Sequence, residues 1–374
     1  MEQDVFVVAD NIISPLGKTT TENFSQLKNG VSGVKEHHSA MSPVPFFASL
    51  FDADEQLFQN SNYTKFEQLL IASIAGALHE TDIDIKNKNT ILIISSTKGN
   101  ISLLEDETFG PDLTNRISLS SSAKIVADYF GFQHTPVVVS NACISGVLGI
   151  LTGMRLLRSG QYENAVIAGA DVISKFILSG FQSFQALSPT RCKPFDQSHD
   201  GLNLGEGAGT VILSTNKKYA DNVKVKGGSI SNDANHISGP SRTGQELAGA
   251  INNSLKDASV SAADIDFISA HGTATVYNDE MEANAISIAG LSAVPLNSLK
   301  GYYGHTLGAA GLIESIISLQ SLKQNYILPT IGFRESEDPG KINVSSVPLQ
   351  IQADNFLKTA SGFGGCNAAV IFGK

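Results

Sequence analysis

The sequence has few cysteines, no excess of basic residues and no long uninterrupted apolar run, and each shortage excludes a class of protein. Its three cysteines, Cys143, Cys192 and Cys366, form no CxxC pair and cannot all be disulfide-bonded, which favours a reducing, intracellular setting. A formal net charge of −10 argues against nucleic acid as a partner. Acidic residues stand where a secretory signal needs basic ones, and glycines and polar residues interrupt the most apolar stretch, residues 137–160. We therefore expect a soluble, cytoplasmic protein without a membrane span.

The order of the predicted elements indicates an α/β fold. Of the 374 residues, 42% are hydrophobic and 17% are charged, which suits one large domain or two domains that share a core. Predicted strands alternate with predicted helices, a pattern typical of largely parallel sheets, and the run ILII at 91–94 is typical of a strand covered on both faces. Helices that are apolar nearly all round, at 144–157 and 307–322, should lie between layers. The sequence therefore predicts a layered α/β sandwich.

Segments of the first half have counterparts, in the same order, in the second half. The matching pairs are 89–99 with 264–274, 135–157 with 293–322, and 205–214 with 362–374. Each pair combines an apolar strand with a loop of small residues. This repetition predicts a duplicated unit, with one half at residues 1–215 and the other at residues 216–374.

Cys143 is the first candidate for chemistry. It lies where an apolar strand gives way to a helix, so free N–H groups and the positive end of the helix dipole should face its sulfur. Such a setting lowers the pKa of a thiol toward neutrality and makes the nucleophilic thiolate accessible. An inert buried thiol is the alternative, and the position of Cys143 alone leaves both interpretations open.

Two histidines follow predicted strands. His271 stands in AHGTATVYNDE, and His305 stands in the glycine-flanked loop of SLKGYYGHTLGAAG. The carboxyl ends of strands are where open α/β sheets collect their sites. The other six histidines lie in polar or Gly- and Pro-rich surroundings, and no spacing among them indicates a metal site.

Glu314 lies in an apolar predicted helix, where burial of an unpaired carboxylate would cost several kcal/mol of folding free energy. It therefore needs a cation, and Lys300 is the nearest candidate in the sequence. The pair is either purely structural or fixes the loop that aims His305.

Five blocks of sequence occur in the order known from one family. They are NACISG at 141–146, ALSPTRCKPFDQSHDGLNLGEGAG at 186–209, HGTATVYNDEME at 271–282, SLKGYYGHTLGAAG at 298–311 and SGFGGCNAAV at 361–370. With these blocks the chain resembles the elongating, Cys-His-His β-ketoacyl-[acyl carrier protein] synthases of the thiolase superfamily. The resemblance implies a five-layered αβαβα sandwich built from a duplicated α/β half. It also implies an acyltransferase of fatty acid or polyketide biosynthesis.

The resemblance implies roles for the candidate residues. Cys143 would accept an acyl group from a thioester on the 4′-phosphopantetheine of an acyl carrier protein, and no other cofactor or metal is implied. His271 and His305 would hydrogen-bond the malonyl thioester, whose decarboxylation gives the carbanion that attacks the acyl-cysteine. The products are a 3-oxoacyl thioester and CO2. Lys300 and Glu314 keep the family spacing to His305.

The C-terminal glycine loop matches the family in the same way. The backbone N–H groups of Cys143 and Phe363 would form the oxyanion hole, and the Phe363 side chain would gate the site. Gly362, Gly364 and Gly365 would let this loop approach the nucleophile and move.

Other matching positions concern the carrier protein and the subunits. Thr273 and Thr275 match positions that bind the pantetheine arm, and Asp279 matches a nearby acidic position. Arg191 and Lys193 are candidates for contacts with the carrier protein. The resemblance also implies a dimer, either of two copies or with a chain-length-factor-like subunit.

The sequence departs from the family pattern in places that bear on specificity. It is shorter than elongating synthases usually are, and the loss falls between residues 48 and 120, which normally cap the acyl pocket and form part of the dimer interface. Leu202, Ala274, Val276 and Ser361 replace the usual Phe, Ser, Pro and Phe. These changes indicate a specialised pathway, such as polyene or pigment assembly.

Three alternatives share the fold. A CoA-dependent thiolase uses a second cysteine as base, but Cys366 follows the glycine run rather than preceding one, and thiolases lack the HGT block. A CoA-primed initiating synthase would use Cys, His and Asn, whereas His271 stands at the first of two histidine positions. A non-catalytic chain-length-factor-like partner has lost the cysteine, which is present here as Cys143.

Overall fold

A computed structural model gives the structure of residues 3–52, 62–106, 110–237, 239–336, 338 and 340–374. Its helices are α1 (Thr20–Lys28), α2 (Lys65–His79), α3 (Leu103–Asp106), α4 (Pro111–Arg116), α5 (Leu119–Phe130), α6 (Ser145–Arg158), α7 (Lys175–Ser183), α8 (Gln245–Asp257), α9 (Val276–Ile288), α10 (Lys300–Tyr303) and α11 (Ala310–Gln324). Its strands are β1 (Phe6–Ile13), β2 (Lys35–His37), β3 (Phe46–Ser49), β4 (Thr90–Ser95), β5 (Val137–Val139), β6 (Asn164–Asp171), β7 (Leu204–Gly205), β8 (Gly207–Ser214), β9 (Lys224–Asn232), β10 (Phe267–Ser269), β11 (Pro295–Asn297), β12 (Tyr326–Ile327), β13 (Asn343–Val344), β14 (Leu349–Gln350), β15 (Asn355–Gly362) and β16 (Cys366–Gly373). Within the region 48–120, residues 53–61 and 107–109 lie outside the described part of the chain.

The large sheet has two arms with the same connectivity. Within the described residues its strand order is β13-β11-β10-β15-β16-β9-β1-β8-β6-β4-β5. Read outward from the centre, β1-β8-β6-β4-β5 repeats the chain order and the pairing directions of β9-β16-β15-β10-β11. The arms join where Phe6 of β1 pairs with Lys224 of β9. This shared order supports the division into residues 1–215 and 216–374, which we retain as a proposal.

The sheet is mixed, so the prediction of largely parallel sheets is wrong for the strands near the joint. The outer strands are parallel, β6, β4 and β5 in the first arm and β15, β10, β11 and β13 in the second, and in each arm the two strands next to the joint are antiparallel to their neighbours. The reason is local in the second arm. The turn at residues 363–365 joins β15 directly to β16, and so short a connection permits only an antiparallel pair.

Helices cover both faces of each arm, so the fold is the predicted five-layered αβαβα sandwich. Helices α6 and α11 lie in the middle, where Ile150 and Ile316 share one core with Ile167 of β6 and Val370 of β16. Helices α2 and α5 cover the outer face of the first arm, and α8 and α9 cover the outer face of the second. None of the helices in the described ranges is both long and apolar enough to cross a membrane.

Candidate active site

The two central helices meet at their N-termini, and this contact brings two candidate residues together. A Cβ on Gly146 of α6 would lie 2.6 Å from the backbone N of Leu312, and one on Gly311 of α11 would lie 3.0 Å from the backbone N of Val147. Only glycine permits such an approach of two helix backbones. Cys143 precedes α6 and His305 precedes α11, so their loops lie side by side at one edge of the sandwich.

A strained turn aims the thiol of Cys143. Ala142 has a φ of 44°, a left-handed conformation that side chains other than glycine rarely adopt. The Ser145 hydroxyl stabilises the turn, because it accepts a hydrogen bond from Asn141 N at 2.8 Å and donates one to the Ala142 carbonyl at 2.6 Å. The Cys143 thiol then lines a cavity of about 480 Å³ together with both predicted histidines.

The backbone of His305 is held by the segment around β7. His305 N donates to the Asn203 carbonyl at 2.6 Å, and the His305 carbonyl accepts from Gly205 N at 3.0 Å. The N–H of Leu307 donates to Nδ1 of His305 at 3.3 Å. Nδ1 is therefore the unprotonated nitrogen, and Nε2 carries the proton. This hydrogen bond makes the Nε2–H of His305 a donor.

His271 is held by a carboxylate from the neighbouring helix. Glu282 of α9 accepts hydrogen bonds from His271 N at 2.8 Å, from Gly272 N at 2.7 Å and from the Thr359 hydroxyl at 2.6 Å. The imidazole rings of His271 and His305 stand nearly perpendicular, at 81°, with their centroids 5.2 Å apart. The two rings therefore face one small volume beside the thiol.

Burial sets the protonation state of all three residues. It lowers the pKa of His271 and of His305 well below 6.5, and the positive charge of Lys300 lowers both pKa values further. Burial also raises the pKa of the Cys143 thiol to about 12. The prediction that the helix start lowers this pKa toward neutrality is therefore wrong. The thiol lies before the first residue of α6 and is 91% shielded from solvent, so desolvation dominates. The resting site holds a neutral thiol and two neutral imidazoles.

Lys300 and Glu314 form a fully buried ion pair. Lys300 Nζ also donates to the carbonyl oxygen of His271 at 3.0 Å. The pair joins α10 to α11, the two helices that flank the loop of His305, and it also contacts the loop of His271. Whether it fixes the His305 loop or is purely structural stays a prediction.

The glycine loop at residues 362–365 packs directly on Cys143. A Cβ on Gly362 would lie 2.9 Å from the backbone N of Cys143. Gly364 and Gly365 have φ values of 86° and 75°, which favour glycine. The Phe363 side chain lines the cavity, 40% exposed, where its ring stacks on Phe181 and meets Phe184 edge-on.

Cys366 is placed differently from the nucleophile candidate. It is buried, it does not line the cavity, and its thiol donates to the Phe363 carbonyl at 3.3 Å. Burial raises its pKa to about 11. These features argue against the second catalytic cysteine of a thiolase.

The remaining predicted residues lie around the cavity and beyond it. Thr273 and Thr275 line it, with their hydroxyl oxygens 2.8 Å apart. Asp279 does not line it; it accepts from Thr273 N at 2.9 Å and from Phe195 N at 2.7 Å, and burial raises its pKa to about 6. Arg191 is exposed and Lys193 half-buried, both outside the cavity. The described part of the chain has no group of His, Cys, Asp and Glu side chains that could hold a metal ion.

Three buried charged residues near the site were missed from the sequence: Lys358, Glu282 and Asp171. Asp171 accepts from Ser96 Oγ at 2.8 Å and from Gly308 N at 2.6 Å, which ties the loop after β4 to the turn that follows His305. Burial raises its pKa to about 6. A lysine inside the apolar strand NFLKTAS, or an aspartate ending AVIAGAD, is a sequence signal for a buried partner. Neither signal identifies that partner.

Comparison with known proteins identifies the family. The Beta-ketoacyl synthase N-terminal domain matches residues 2–219, and the Beta-ketoacyl synthase C-terminal domain matches residues 223–334. The chain belongs to the β-ketoacyl synthase family. The synthase is 28% identical to the 3-oxoacyl-[acyl-carrier-protein] synthase 2 of Vibrio harveyi, over 99% of this chain and 98% of that protein.

Solved structures agree with this assignment. The synthase resembles the ishigamide ketosynthase/chain length factor with a TM-score of 0.91 and 26% identity over the whole of both chains. It resembles the ketosynthase ApeO, solved in complex with its chain length factor ApeC from Xenorhabdus doucetiae, with a TM-score of 0.87 and 26% identity over 99% of this chain and 98% of that one. The predicted family, fold and activity are confirmed: the protein is an acyltransferase of the 3-oxoacyl-[acyl-carrier-protein] synthase type.

Proposed function

We propose that Cys143 is the nucleophile of this condensing enzyme, and that His271 and His305 bind the malonyl thioester that it elongates. The observation that supports these roles is the convergence of one thiol and two neutral imidazoles on a single cavity. Lys300 and Glu314 complete the set as the buried pair behind His271.

In the first step the Cys143 sulfur attacks the acyl thioester of an acyl carrier protein. The new bond joins sulfur to the acyl carbon, and the bond to the pantetheine sulfur breaks. Because the pKa of Cys143 is about 12, its proton leaves during the attack and ends on the departing pantetheine thiol. The N–H groups of Cys143 and Phe363 stabilise the tetrahedral oxyanion. The glycine loop can lie close enough to Cys143 for this because residue 362 has no side chain.

In the second step the malonyl thioester loses CO2. The electron pair of the breaking C–C bond moves into the thioester carbonyl, and the developing enolate oxygen needs hydrogen-bond donors. The Nε2–H of His305 and one N–H of His271 provide them without any net charge. The carbanion then attacks the acyl carbon on Cys143, the bond from that carbon to the cysteine sulfur breaks, and the released thiolate takes up one proton from solvent as the 3-oxoacyl thioester leaves.

The substrate reaches the site on a carrier protein. Thr273 and Thr275 line the cavity, where their hydroxyls suit the amides of a pantetheine arm. We assign Arg191 and Lys193 to the contact with the carrier protein, because both are basic and lie outside the cavity. The proposed location is the reducing cytoplasm, because the Cys143 thiol must stay reduced to act as a nucleophile.

We also propose that the synthase works as a dimer. The edge strand β5 carries Val137 and Val138, both only half-buried, at the end of the large sheet. An exposed, β-branched edge favours pairing with another strand. The partner is a second copy or a chain-length-factor-like subunit, since both solved relatives named above are ketosynthase and chain length factor structures.

The cavity points to a specialised rather than a housekeeping acyl chain. Three positions that depart from the family pattern, Leu202, Val276 and Ser361, all line it. The rings of Phe181 and Phe363 stack with centroids 5.9 Å apart and an angle of 23°. Flat aromatic surfaces favour a planar, conjugated acyl chain over a flexible saturated one of equal length. Competition between two such carrier-bound thioesters tests this preference, and equal use of both would contradict it.

The nucleophile is tested by intact-protein mass after incubation with an acyl carrier protein thioester. We expect an acyl adduct on the wild type and on Cys366→Ala, and none on Cys143→Ala. An adduct on Cys143→Ala, or its loss in Cys366→Ala, would refute the assignment.

The roles of the histidines are tested by CO2 release. Cys143→Gln should still release CO2 from malonyl carrier protein, and His271→Ala or His305→Ala in that background should abolish the release. Absence of CO2 from folded Cys143→Gln would refute this division of labour.

A further inference from the structure

Lys358 lies in a cage of oxygen atoms beneath the active site. It is on β15, its side chain is fully buried, and its Nζ lies 3.2 Å from the Ser269 carbonyl, 3.1 Å from the Ala270 carbonyl and 2.6 Å from Glu314 Oε2. All three neighbours are hydrogen-bond acceptors. An ammonium has three N–H donors for them, whereas a neutral amine has two donors and a lone pair that would face an oxygen. The cage therefore fits the charged form.

The same carboxylate holds a second ammonium. Glu314 also pairs with Lys300, whose Nζ donates to the carbonyl oxygen of His271 at 3.0 Å. Three consecutive carbonyls, at residues 269–271, are thus each bound by a lysine. These residues lie at the end of β10, where the ladder with β15 and β11 stops. The two lysines replace the missing strand partners and fix the backbone that carries the His271 ring.

Such a group is costly to bury, and burial lowers the pKa of Lys358 while Glu314 opposes that shift. The positive charge of Lys358 also contributes to the lowered pKa values of His271 and His305. A structural strand position would be filled at lower cost by an apolar side chain. The ammonium binds the carbonyl of Ala270, the residue that precedes His271 in the sequence. This position indicates that the charge itself has a role.

We propose that Lys358 is a positioning residue whose ammonium acts as a built-in cation, holding residues 269–271 so that His271 faces the malonyl thioester. The proposal rests on the role proposed above for His271. The oxygens of the cage require a cation with N–H donors, but that cation does not have to be covalently linked to β15. A lysine that served only to fill space would make no such requirement.

The experiment measures CO2 release from malonyl carrier protein in the Cys143→Gln background, which first shows whether the proposed function holds. In this background Lys358→Ala opens the cage, and Lys358→Met fills the same volume without charge. We expect both variants to lose about tenfold or more of the decarboxylation rate, since a displacement of about 1 Å in a catalytic group has effects of that size. Added ethylammonium should restore the rate of Lys358→Ala several-fold and leave Lys358→Met unchanged.

Two controls separate positioning from general damage. Tetramethylammonium, which has no N–H donor, should not restore Lys358→Ala at the same ionic strength. Acylation of Cys143 by an acyl thioester, measured with Lys358→Met in the otherwise wild-type chain, should stay within about twofold of wild type, because that step does not use His271. The proposal is overturned by a wild-type decarboxylation rate in Lys358→Met, by equal loss of acylation and decarboxylation, or by no ethylammonium rescue of folded Lys358→Ala. If Lys358→Ala does not fold, the two rates of Lys358→Met decide.

Discussion

Lowering the pH should destabilise the synthase through its two buried imidazoles. Burial holds the pKa of His271 and of His305 well below 6.5, so both rings stay neutral in the folded protein as the pH falls. In the unfolded chain each ring binds a proton near its ordinary pKa. The unfolded state therefore binds more protons than the folded state, and the free energy of unfolding falls as the pH drops through 6.5.

The size of the effect follows from proton linkage. Between about pH 7.5 and about pH 5.5, each imidazole that titrates only in the unfolded chain lowers the free energy of unfolding by about 1.4 kcal/mol, or about 2.7 kcal/mol for both. Asp171 and Asp279 act in the opposite direction. Burial raises their pKa values to about 6, so the folded protein takes up their protons first and recovers about 0.8 kcal/mol for each. These four groups together leave a net loss of about 1 kcal/mol.

The assay compares urea unfolding, followed by circular dichroism, at both pH values for the wild type and for the double variant His271→Asn, His305→Asn. Protein concentration is held constant, since a dimer gains stability with concentration. The double variant should lose about 2.7 kcal/mol less than the wild type over this interval. Equal pH dependence in the two proteins would show that the imidazoles are not held neutral, and the argument from burial would fail.

Two further predictions concern the supports of the histidine loops. Gly205→Ala would place a methyl group on the Tyr303 carbonyl oxygen and should lower the free energy of unfolding by about 3 kcal/mol. Gly249→Ala, where nothing lies within 4 Å, should change it by about 1 kcal/mol or less in the stabilising direction. Similar urea midpoints for the two variants would contradict this reasoning. Glu282→Gln keeps one acceptor for the turn of His271, so CO2 release should fall about tenfold while thiol acylation persists. Parallel loss of both activities would contradict a local effect.

The three candidate site residues could be found from the sequence because each stands in a loop of small residues that follows an apolar segment. Cys143, His271 and His305 all line the cavity, as the position of their motifs at strand ends predicts. The layered architecture was predictable for a related reason. Helices that are apolar on every side must be covered on every side, and α6 and α11 are.

The features that could not be predicted from the sequence depend on contacts between distant segments of the chain. The pKa of Cys143 was predicted from its own helix, but burial raises it, and the glycine loop that packs on Cys143 belongs to a distant segment. The partners of Lys358 come from β10 and α11, and no local pattern specifies three acceptors on two other elements. The antiparallel pairing of β15 with β16 follows from one short turn, whose length is visible in the sequence but whose strand pairing is not.

Burial also explains why the proposed chemistry suits this site. It raises the pKa of the thiol and lowers the pKa of both imidazoles, so the resting cavity holds no charged reacting group. A thiolate–imidazolium pair is the usual way to activate a cysteine, and here desolvation opposes both of its members. In the proposed reaction the charge instead arrives with the malonyl carboxylate. The carboxylate group departs as neutral CO2, and its negative charge passes to an enolate beside two neutral donors that need not reorganise. Lys300 and Lys358 bind backbone carbonyls and Glu314 behind His271, and their positive charges lower the pKa of both imidazoles, which favours the neutral form that the proposed donors need.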